Sequence, residues 1–202
     1  MEKRILNINW QLRSEDDTVK EVVGIGAVVD QKTDLGWFEE TIMRGAFDEA
    51  DMSDVVALFN HDPNQILGRT SAKTAKVFIN DNGDLEYSFT PDYENPTHVS
   101  VVRSIQRGDV TQSSFAFTIK EDGGSAWVSS EKYGNYGHRE VRKINKVYDV
   151  SPVTYPAYKN TTVSARDKES LEAERRALTT EQDSGEEFRA EYTKKFYETI
   201  IK

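Results

Sequence analysis

The sequence has 202 residues, of which 37% are hydrophobic; this is enough for one ordinary domain with a core, alone or with an extension, and too few for two large domains. It contains no cysteine, which excludes disulfide frameworks, thiol nucleophiles and cysteine-ligated metal centres. The formal net charge of -9 disfavours nonspecific binding to nucleic acid or anionic lipid, and no apolar stretch has the roughly 20 residues of a membrane span.

The first three quarters of the chain consist of short predicted strands separated by turn signals. Strands are predicted at 22–29, 55–60, 76–79 and 85–89, with a hairpin signal at 81–84. Gly24 and Gly26 indicate tight packing or a bulge, because no nucleotide-binding fingerprint follows them. This spacing favours a β-rich barrel or sandwich over alternating βαβ units.

One helix interrupts the predicted strands, from about Asn95 to Arg107, with Pro96 at an early position and Gly108 at its end. A strand follows at 113–119, in which Ser113, Phe115 and Phe117 face one side while Ser114 and Ala116 face the other. The last predicted strand is 147–155, just before Pro156.

After about Thr161 the composition changes to charged, helix-favouring residues. We therefore divide the chain into a main domain, 1–160, and a charged helical extension, 161–202. The segment 167–179 has only Leu171 and Leu178 as apolar anchors, which is typical of a solvated or partner-dependent helix. The segment 186–201 carries an apolar stripe with a four-residue repeat, formed by Phe188, Tyr192, Phe196 and Ile200.

The three histidines are the candidate bases for proton transfer near neutral pH. His61 lies at the polar end of an apolar strand, before a proline turn, where a side chain reaches a site while the backbone stays rigid. His98 falls in the first turn of the predicted helix, where an exposed polar residue needs no special explanation. His138 lies in a Gly- and Tyr-rich hairpin and is expected to be solvated.

A serine nucleophile requires a base within hydrogen-bond reach and a group that orients the base. Ser114 faces away from Phe115 and Phe117, and the small Ala116 on its own side leaves room for a substrate carbonyl. Asp149, at the start of the last strand, is a candidate orienting acid. Each of these residues alone also fits an ordinary polar position on a strand.

The ordered set of these segments resembles the prohead (capsid maturation) serine proteases of tailed phages, which are distant relatives of the herpesvirus assemblins. The resemblance runs from about residue 24 to residue 158. It is carried by 44–48 (RGAFD), 56–62 (VALFNHD), 67–70 (LGRT), 84–87 (DLEY), 107–109 (RGD), 114–117 (SFAF) and 149–157 (DVSPVTYPA).

The resemblance implies a catalytic role for three residues: His61 as base, Ser114 as nucleophile and Asp149 as third member. Ala116 and Asp149 replace the family's commoner glycine and glutamate. Ser113 stands where an apolar residue is common, so it is a fallback nucleophile. The assemblins use a second histidine as third member, which leaves His138 as a competitor of Asp149. In those relatives, a loop soon after the third member supplies the backbone N–H groups that stabilise the oxyanion. By this resemblance, residues 157–159 are the candidate oxyanion donors.

The implied fold is an assemblin-like, β-rich α+β domain, a closed or partly open antiparallel barrel with few helices, plus the C-terminal helical extension. The implied activity is peptide-bond hydrolysis through an acyl-enzyme, with no metal or organic cofactor. The implied setting is the prohead inside the host cytoplasm. The implied partners are the major capsid protein, the scaffold protein and the chain itself, through self-cleavage and as a homodimer or higher oligomer; neither nucleic acid nor membrane is expected.

Two alternatives remain open from the sequence. The first is a non-enzymatic virion assembly protein with an inactive protease-like domain. The second is a metal-dependent hydrolase that uses His61, Asp62 and another carboxylate, although one His-Asp pair without a second spaced ligand is a weak signal.

Overall fold

A computed structural model describes residues 1–15, 18–154 and 169–179 of the chain. In chain order its named elements are β1 (Glu2–Asn7), β2 (Gln11–Glu15), β3 (Thr18–Ala27), β4 (Thr33–Asp34), β5 (Glu39–Ile42), β6 (Val56–Phe59), β7 (Asp62–Arg69), β8 (Ala75–Ile79), β9 (Leu85–Phe89), α1 (Pro96–Arg107), β10 (Gln112–Ile119), β11 (Ser125–Ser130), β12 (Gly134–Val141) and β13 (Ile144–Val153). A further helical segment, α2, covers 169–179. Neither of these helices is long and apolar enough to cross a membrane.

The strands form three sheets. Their orders are β1-β10-β13-β6-β7, β11-β12-β5-β4 and β2-β3-β9-β8. The predicted β-rich class is confirmed, but the described residues do not close into a barrel. The pairing is also not purely antiparallel, because β6 runs parallel to β13 and β5 runs parallel to β12. These two long-range parallel pairs interrupt the run of antiparallel neighbours that the predicted barrel requires.

The main core lies between the five-stranded sheet and the sheet that contains β3. Phe115 and Phe117 of β10 stack on each other with ring centroids 4.6 Å apart, and both are fully buried. The prediction that the β3 glycines permit close packing is confirmed: a Cβ on Gly24 would lie 2.5 Å from the Trp10 ring. The register between β3 and β9 also shifts around Gly26, as a bulge requires.

Local sequence signals place α1 and the β8–β9 hairpin as predicted. The side chain of Asn95 accepts a hydrogen bond from the Thr97 N–H at the start of α1, and Gly108 ends the helix in the left-handed conformation. In the hairpin, Asn80 Oδ1 accepts from the backbone of Asn82 and Asp84, and Gly83 supplies a positive φ of 87°.

A second, smaller core joins α2 to the sheet that contains β11. Leu171 is only 4% exposed and packs in a cluster with Leu35, Phe38 and Trp127. The Arg175 guanidinium also donates to two backbone carbonyls, those of Trp37 and Tyr133. The described part of the segment predicted to be solvated or partner-dependent therefore packs on the β-sheet through its two leucine anchors. The predicted apolar stripe at 186–201 lies outside the described residues.

Candidate active site

His61 lies in the two-residue turn between β6 and β7. Asn60 and His61 have φ values of 56° and 57°. Positive φ at both central residues is the pattern of the type I′ turn, whose twist matches that of the flanking strands. Asn and His adopt this left-handed conformation more readily than most residues. The sequence predicts a proline turn after His61, whereas the turn lies at His61 itself and Pro63 lies within β7.

Hydrogen bonds of Asn60 join this turn to the end of β13. Its backbone N–H donates to the Pro152 carbonyl at 3.0 Å. Its side-chain oxygen accepts from the Thr154 N–H at 2.9 Å and from the Thr154 hydroxyl at 3.1 Å. The position of His61 relative to β13 is therefore set by both the backbone and the side chain of the preceding residue.

Ser114 and Asp149 lie on neighbouring antiparallel strands. Ser114 of β10 pairs with Ser151 of β13, and Ala116 pairs with Asp149. Since alternate residues of a strand share a face, Ser114, Asp149 and Ser151 lie on the same face of the five-stranded sheet. The β6–β7 turn brings His61 onto that face.

The structure brings the three predicted triad residues together. His61 Nε2 lies 2.6 Å from Ser114 Oγ, and His61 Nδ1 lies 2.5 Å from Asp149 Oδ1. An ionised carboxylate only accepts hydrogen bonds, so the ring proton of neutral His61 belongs on Nδ1. Nε2 is then free to accept the proton of the Ser114 hydroxyl, which is the arrangement needed for general-base activation of a serine.

This hydrogen-bonded row is almost completely shielded from solvent. The side chains of His61 and Asp149 are 9% and 8% exposed, and Ser114 is fully buried. In such a low-dielectric environment, the attraction between the carboxylate and a developing imidazolium is stronger than it would be in water. The Ser114 hydroxyl has no exposed surface in this arrangement.

Ser113, the fallback nucleophile, points into the opposite side of the sheet. It is also fully buried, but its hydroxyl lies 2.9 Å from the Tyr87 hydroxyl. Burial raises the pKa of Tyr87 far above its usual value, and the Asp149 charge acts in the same direction, whereas the hydrogen bond between Tyr87 and Ser113 opposes the rise. The pair is thus neutral and sits in the core, with no contact between Ser113 and His61.

The other two histidines stay apart from the triad. His138 lies on β12, in another sheet, and its Nε2 is 2.9 Å from the Thr41 hydroxyl. The expectation that His98 is exposed is wrong, since the residue is only 7% exposed. Its Nδ1 accepts from the Asp92 N–H at 2.8 Å, and its Nε2 lies 2.9 Å from the Ile66 carbonyl. His98 therefore ties the start of α1 to the loop before it and to β7.

The side chain of Asp62, which the metal alternative pairs with His61, has other hydrogen-bond partners. Asp62 instead caps its own turn, where it accepts hydrogen bonds from the backbone and side chain of Asn64. In the ranges 1–15, 18–154 and 169–179, no group of three His, Asp or Glu side chains is arranged to hold a metal ion. The segment 157–159, expected to supply oxyanion donors, lies outside the described residues.

Two further residues that contact this site, Ser151 and Asn60, were not predicted from the sequence. Ser151 is fully buried and donates to Asp149 Oδ1 at 2.9 Å. Asn60 anchors the His61 turn, as described above. Ser151 had a detectable signal, because it follows Asp149 by two residues in a predicted strand and so shares its face. No sequence pattern indicated the contacts of Asn60 with Thr154, because these two residues are 94 positions apart.

Comparison with known proteins identifies a family for this chain. The family model of the caudovirus prohead serine proteases matches residues 9–176, which includes all three triad residues. No significant match was found among curated proteins or among solved structures. With most of its length matched by that family model, the chain belongs to the caudovirus prohead serine protease family.

Proposed function

We propose that this chain is a serine endopeptidase that acts inside the prohead of a tailed phage. Its substrates there are the scaffold protein, the major capsid protein, or both, and it also cleaves itself. The observation that carries the proposal is the hydrogen-bonded row Asp149, His61 and Ser114, found in a chain of the prohead serine protease family.

In the first half of the reaction, Ser114 Oγ attacks the carbonyl carbon of the scissile peptide bond. Its proton passes to His61 Nε2, which lies within hydrogen-bond reach. The tetrahedral intermediate then collapses, the C–N bond breaks, and His61 returns the proton to the departing amine. The products of this half are a free amino terminus and an ester between Ser114 and the acyl half of the substrate.

In the second half, water attacks the ester while Nε2 takes one of its protons. Collapse of this second intermediate transfers the proton to Ser114 Oγ and releases the new carboxyl terminus. Asp149 takes part in both halves: it keeps Nδ1 protonated and stabilises the positive charge that forms on the imidazole. Neither half consumes a cofactor.

We further propose that 1–160 forms the catalytic domain and that 161–202 is an extension for scaffold binding, delivery or self-processing. The acidic composition, with a net charge of -9, suits a partner surface made of protein rather than nucleic acid or anionic lipid. Since α2 packs on the β-sheet through Leu171, a truncation that tests the extension is best placed after residue 179. Removal of 180–202 is then expected to spare peptide cleavage and to reduce incorporation into proheads.

The test is to co-express the chain with the scaffold and major capsid proteins of its phage and to follow all three by intact mass. The Ser114→Ala variant should leave every substrate uncut. The matched control, Ser113→Ala, removes a neighbouring and equally buried hydroxyl and should preserve the cleavage pattern of the wild type.

Three outcomes would contradict the proposal. Normal processing by Ser114→Ala would rule out Ser114 as nucleophile, and loss of cleavage on addition of a chelator would favour a metal-dependent hydrolase. If neither the wild type nor the variant cleaves, while both associate with capsid proteins, the chain is a non-enzymatic assembly protein.

A further inference from the structure

Ser151 is a buried hydroxyl at the centre of the candidate site that the proposed reaction does not yet use. It lies in β13, two residues after Asp149 and directly opposite Ser114 of β10. Its relative exposure is 0%. Because β13 has neighbours on both sides, β10 and β6, the backbone that carries Ser151 and Asp149 is held in the interior of the sheet.

The Ser151 hydroxyl lies beside the hydrogen bond between Asp149 and His61 and contacts both residues. Ser151 Oγ lies 2.9 Å from Asp149 Oδ1, the same oxygen that accepts from His61 Nδ1, and 3.3 Å from Nδ1 itself. Since an ionised carboxylate has no proton to give, the hydroxyl hydrogen points to Asp149. Asp149 Oδ1 thus accepts two hydrogen bonds, one from each neighbour.

We propose that Ser151 is a positioning residue of the reaction, which acts by holding the Asp149 carboxylate. The torsion about the last bond of an aspartate is broad, so a carboxylate with a single partner rotates over a wide range. The second hydrogen bond fixes the orientation in which Oδ1 meets Nδ1, and the ring of His61 is then held with Nε2 towards Ser114. This inference depends on the proposed serine protease function.

Ser151 is not itself a nucleophile in this geometry. Its neighbouring ring atom is Nδ1, which already donates to Asp149 and therefore has no lone pair to accept a proton. The lone pair of the ring is on Nε2, and that atom faces Ser114. The two paired serines of β10 and β13 consequently have different roles, Ser114 as the reacting group and Ser151 as support.

The first test compares Ser151→Ala with Ser113→Ala. Both variants lose one fully buried hydroxyl from adjacent strands, but only Ser151 contacts the row. On a peptide substrate, Ser151→Ala should lower kcat roughly 10- to 100-fold with KM unchanged, as expected for loss of a hydrogen bond to a charged group. Ser113→Ala should stay within about twofold of the wild type. Equal kcat values for Ser151→Ala and the wild type would overturn the inference and leave the proposed function intact.

The second test asks whether Ser151 acts through Asp149. In an Asp149→Ala background, Ser151→Ala should cause no further loss of kcat, because the carboxylate that it orients is absent. If the same fold-loss appears in both backgrounds, Ser151 acts independently of Asp149 and the inference fails. Thermal unfolding of all four proteins of the cycle checks that each is folded.

A spectroscopic measurement separates this inference from the proposed function. The proton on His61 Nδ1 should give a low-field NMR resonance whose position changes in Ser151→Ala and stays constant in Ser113→Ala. If the wild type cleaves no peptide but the resonance shows this pattern, the proposed protease function is wrong, while the contact of Ser151 with Asp149 and His61 is supported. A resonance that is the same in the wild type and in Ser151→Ala refutes the positioning role, whatever the activity.

Discussion

The two faces of the β1–β10–β13 region each carry a buried polar network, and the two networks differ in charge balance. On one face, Asp149 is the charged member of the row that it forms with His61 and Ser114, and Ser114 Oγ and His61 Nε2 have each other as partner. On the other face, Arg4 of β1 lies over the Phe117 ring and joins Arg139, Glu2 and Glu40 in a set of ion pairs.

The second network is balanced in charge, with two arginines against two glutamates. Arg139 donates to Glu2 Oε2 at 2.7 Å and to Glu40 Oε2 at 3.1 Å, and it is only 1% exposed. This network joins β1 to β5 and β12. In the proposed reaction, by contrast, the negative charge of Asp149 stabilises the imidazolium that forms on His61. We therefore expect the arginine–glutamate network to stabilise the fold and the row of Asp149, His61 and Ser114 to take part in the reaction.

The largest effect is expected from neutralising Asp149. Asp149→Asn should lower kcat by about 10³- to 10⁴-fold, because the amide no longer keeps the Nδ1 tautomer and no longer stabilises the imidazolium. Its thermal unfolding should stay close to that of the wild type. Peptide-cleavage kinetics give the measurement, and a loss of less than tenfold would mean that Asp149 is not the orienting acid.

Breaking the balanced network should change stability instead of chemistry. Arg139→Met leaves Glu2 and Glu40 without one cation and should lower the free energy of unfolding by about 3–5 kcal/mol in urea. The kcat per folded molecule should be unchanged well below the unfolding temperature. The control is Arg142→Met: Arg142 is 52% exposed and pairs with Glu140, so its loss should cost less than about 1 kcal/mol. Equal costs for the two variants would contradict the structural role of the network.

The same network predicts a loss of stability in acid. Burial alone would raise the pKa of Glu2, but Arg4 and Arg139 outweigh it and lower the pKa from 4.5 to about 2. A carboxyl with a lowered folded-state pKa stabilises the fold fully above the unfolded value, and this contribution disappears as the pH falls from 4.5 towards 2. The urea midpoint of the wild type should therefore fall over that interval more steeply than that of Glu2→Gln, and parallel curves would refute the assignment.

The smallest effect concerns the turn that carries His61. Asn60→Gly keeps the positive φ but loses the bonds to Thr154, so kcat should fall only about three- to tenfold. Asn60→Ala loses the same bonds and also strains the left-handed backbone, which should destabilise the fold by about 1–2 kcal/mol more. If the two variants unfold at the same temperature, the turn does not impose the left-handed conformation.

Elements with strong local signals were predictable from the sequence. The alternation in β10 put Ser113 and Ser114 on opposite faces, and Asn95 and Gly108 marked the ends of α1. The family motifs also indicated the three residues that the fold brings together, His61, Ser114 and Asp149. Their assembly depends on strand pairing and a turn, and the sequence alone supplied no distances.

Other elements were missed because non-local contacts stabilise them. The strand β1 reads as a mixed, charged segment, and its Arg4 is buried only because Glu40 and Glu2 neutralise it. The parallel pair of β6 and β13 joins residues far apart in the chain. Likewise, the predicted alternation put Ser113 on the side of Phe115 and Phe117 but did not show that the side of Ser114 is buried as well, since a strand buried on both faces has no polar side to mark.

The central claim is that Ser114 is the nucleophile, and covalent labelling tests it most directly. The wild type is incubated with a fluorophosphonate, and the modified residue is identified by intact mass and peptide mapping. We predict a single adduct on Ser114 that is absent in His61→Ala and retained in Ser113→Ala. An adduct on Ser113 or Ser151, or peptide cleavage that persists in Ser114→Ala, would contradict the account.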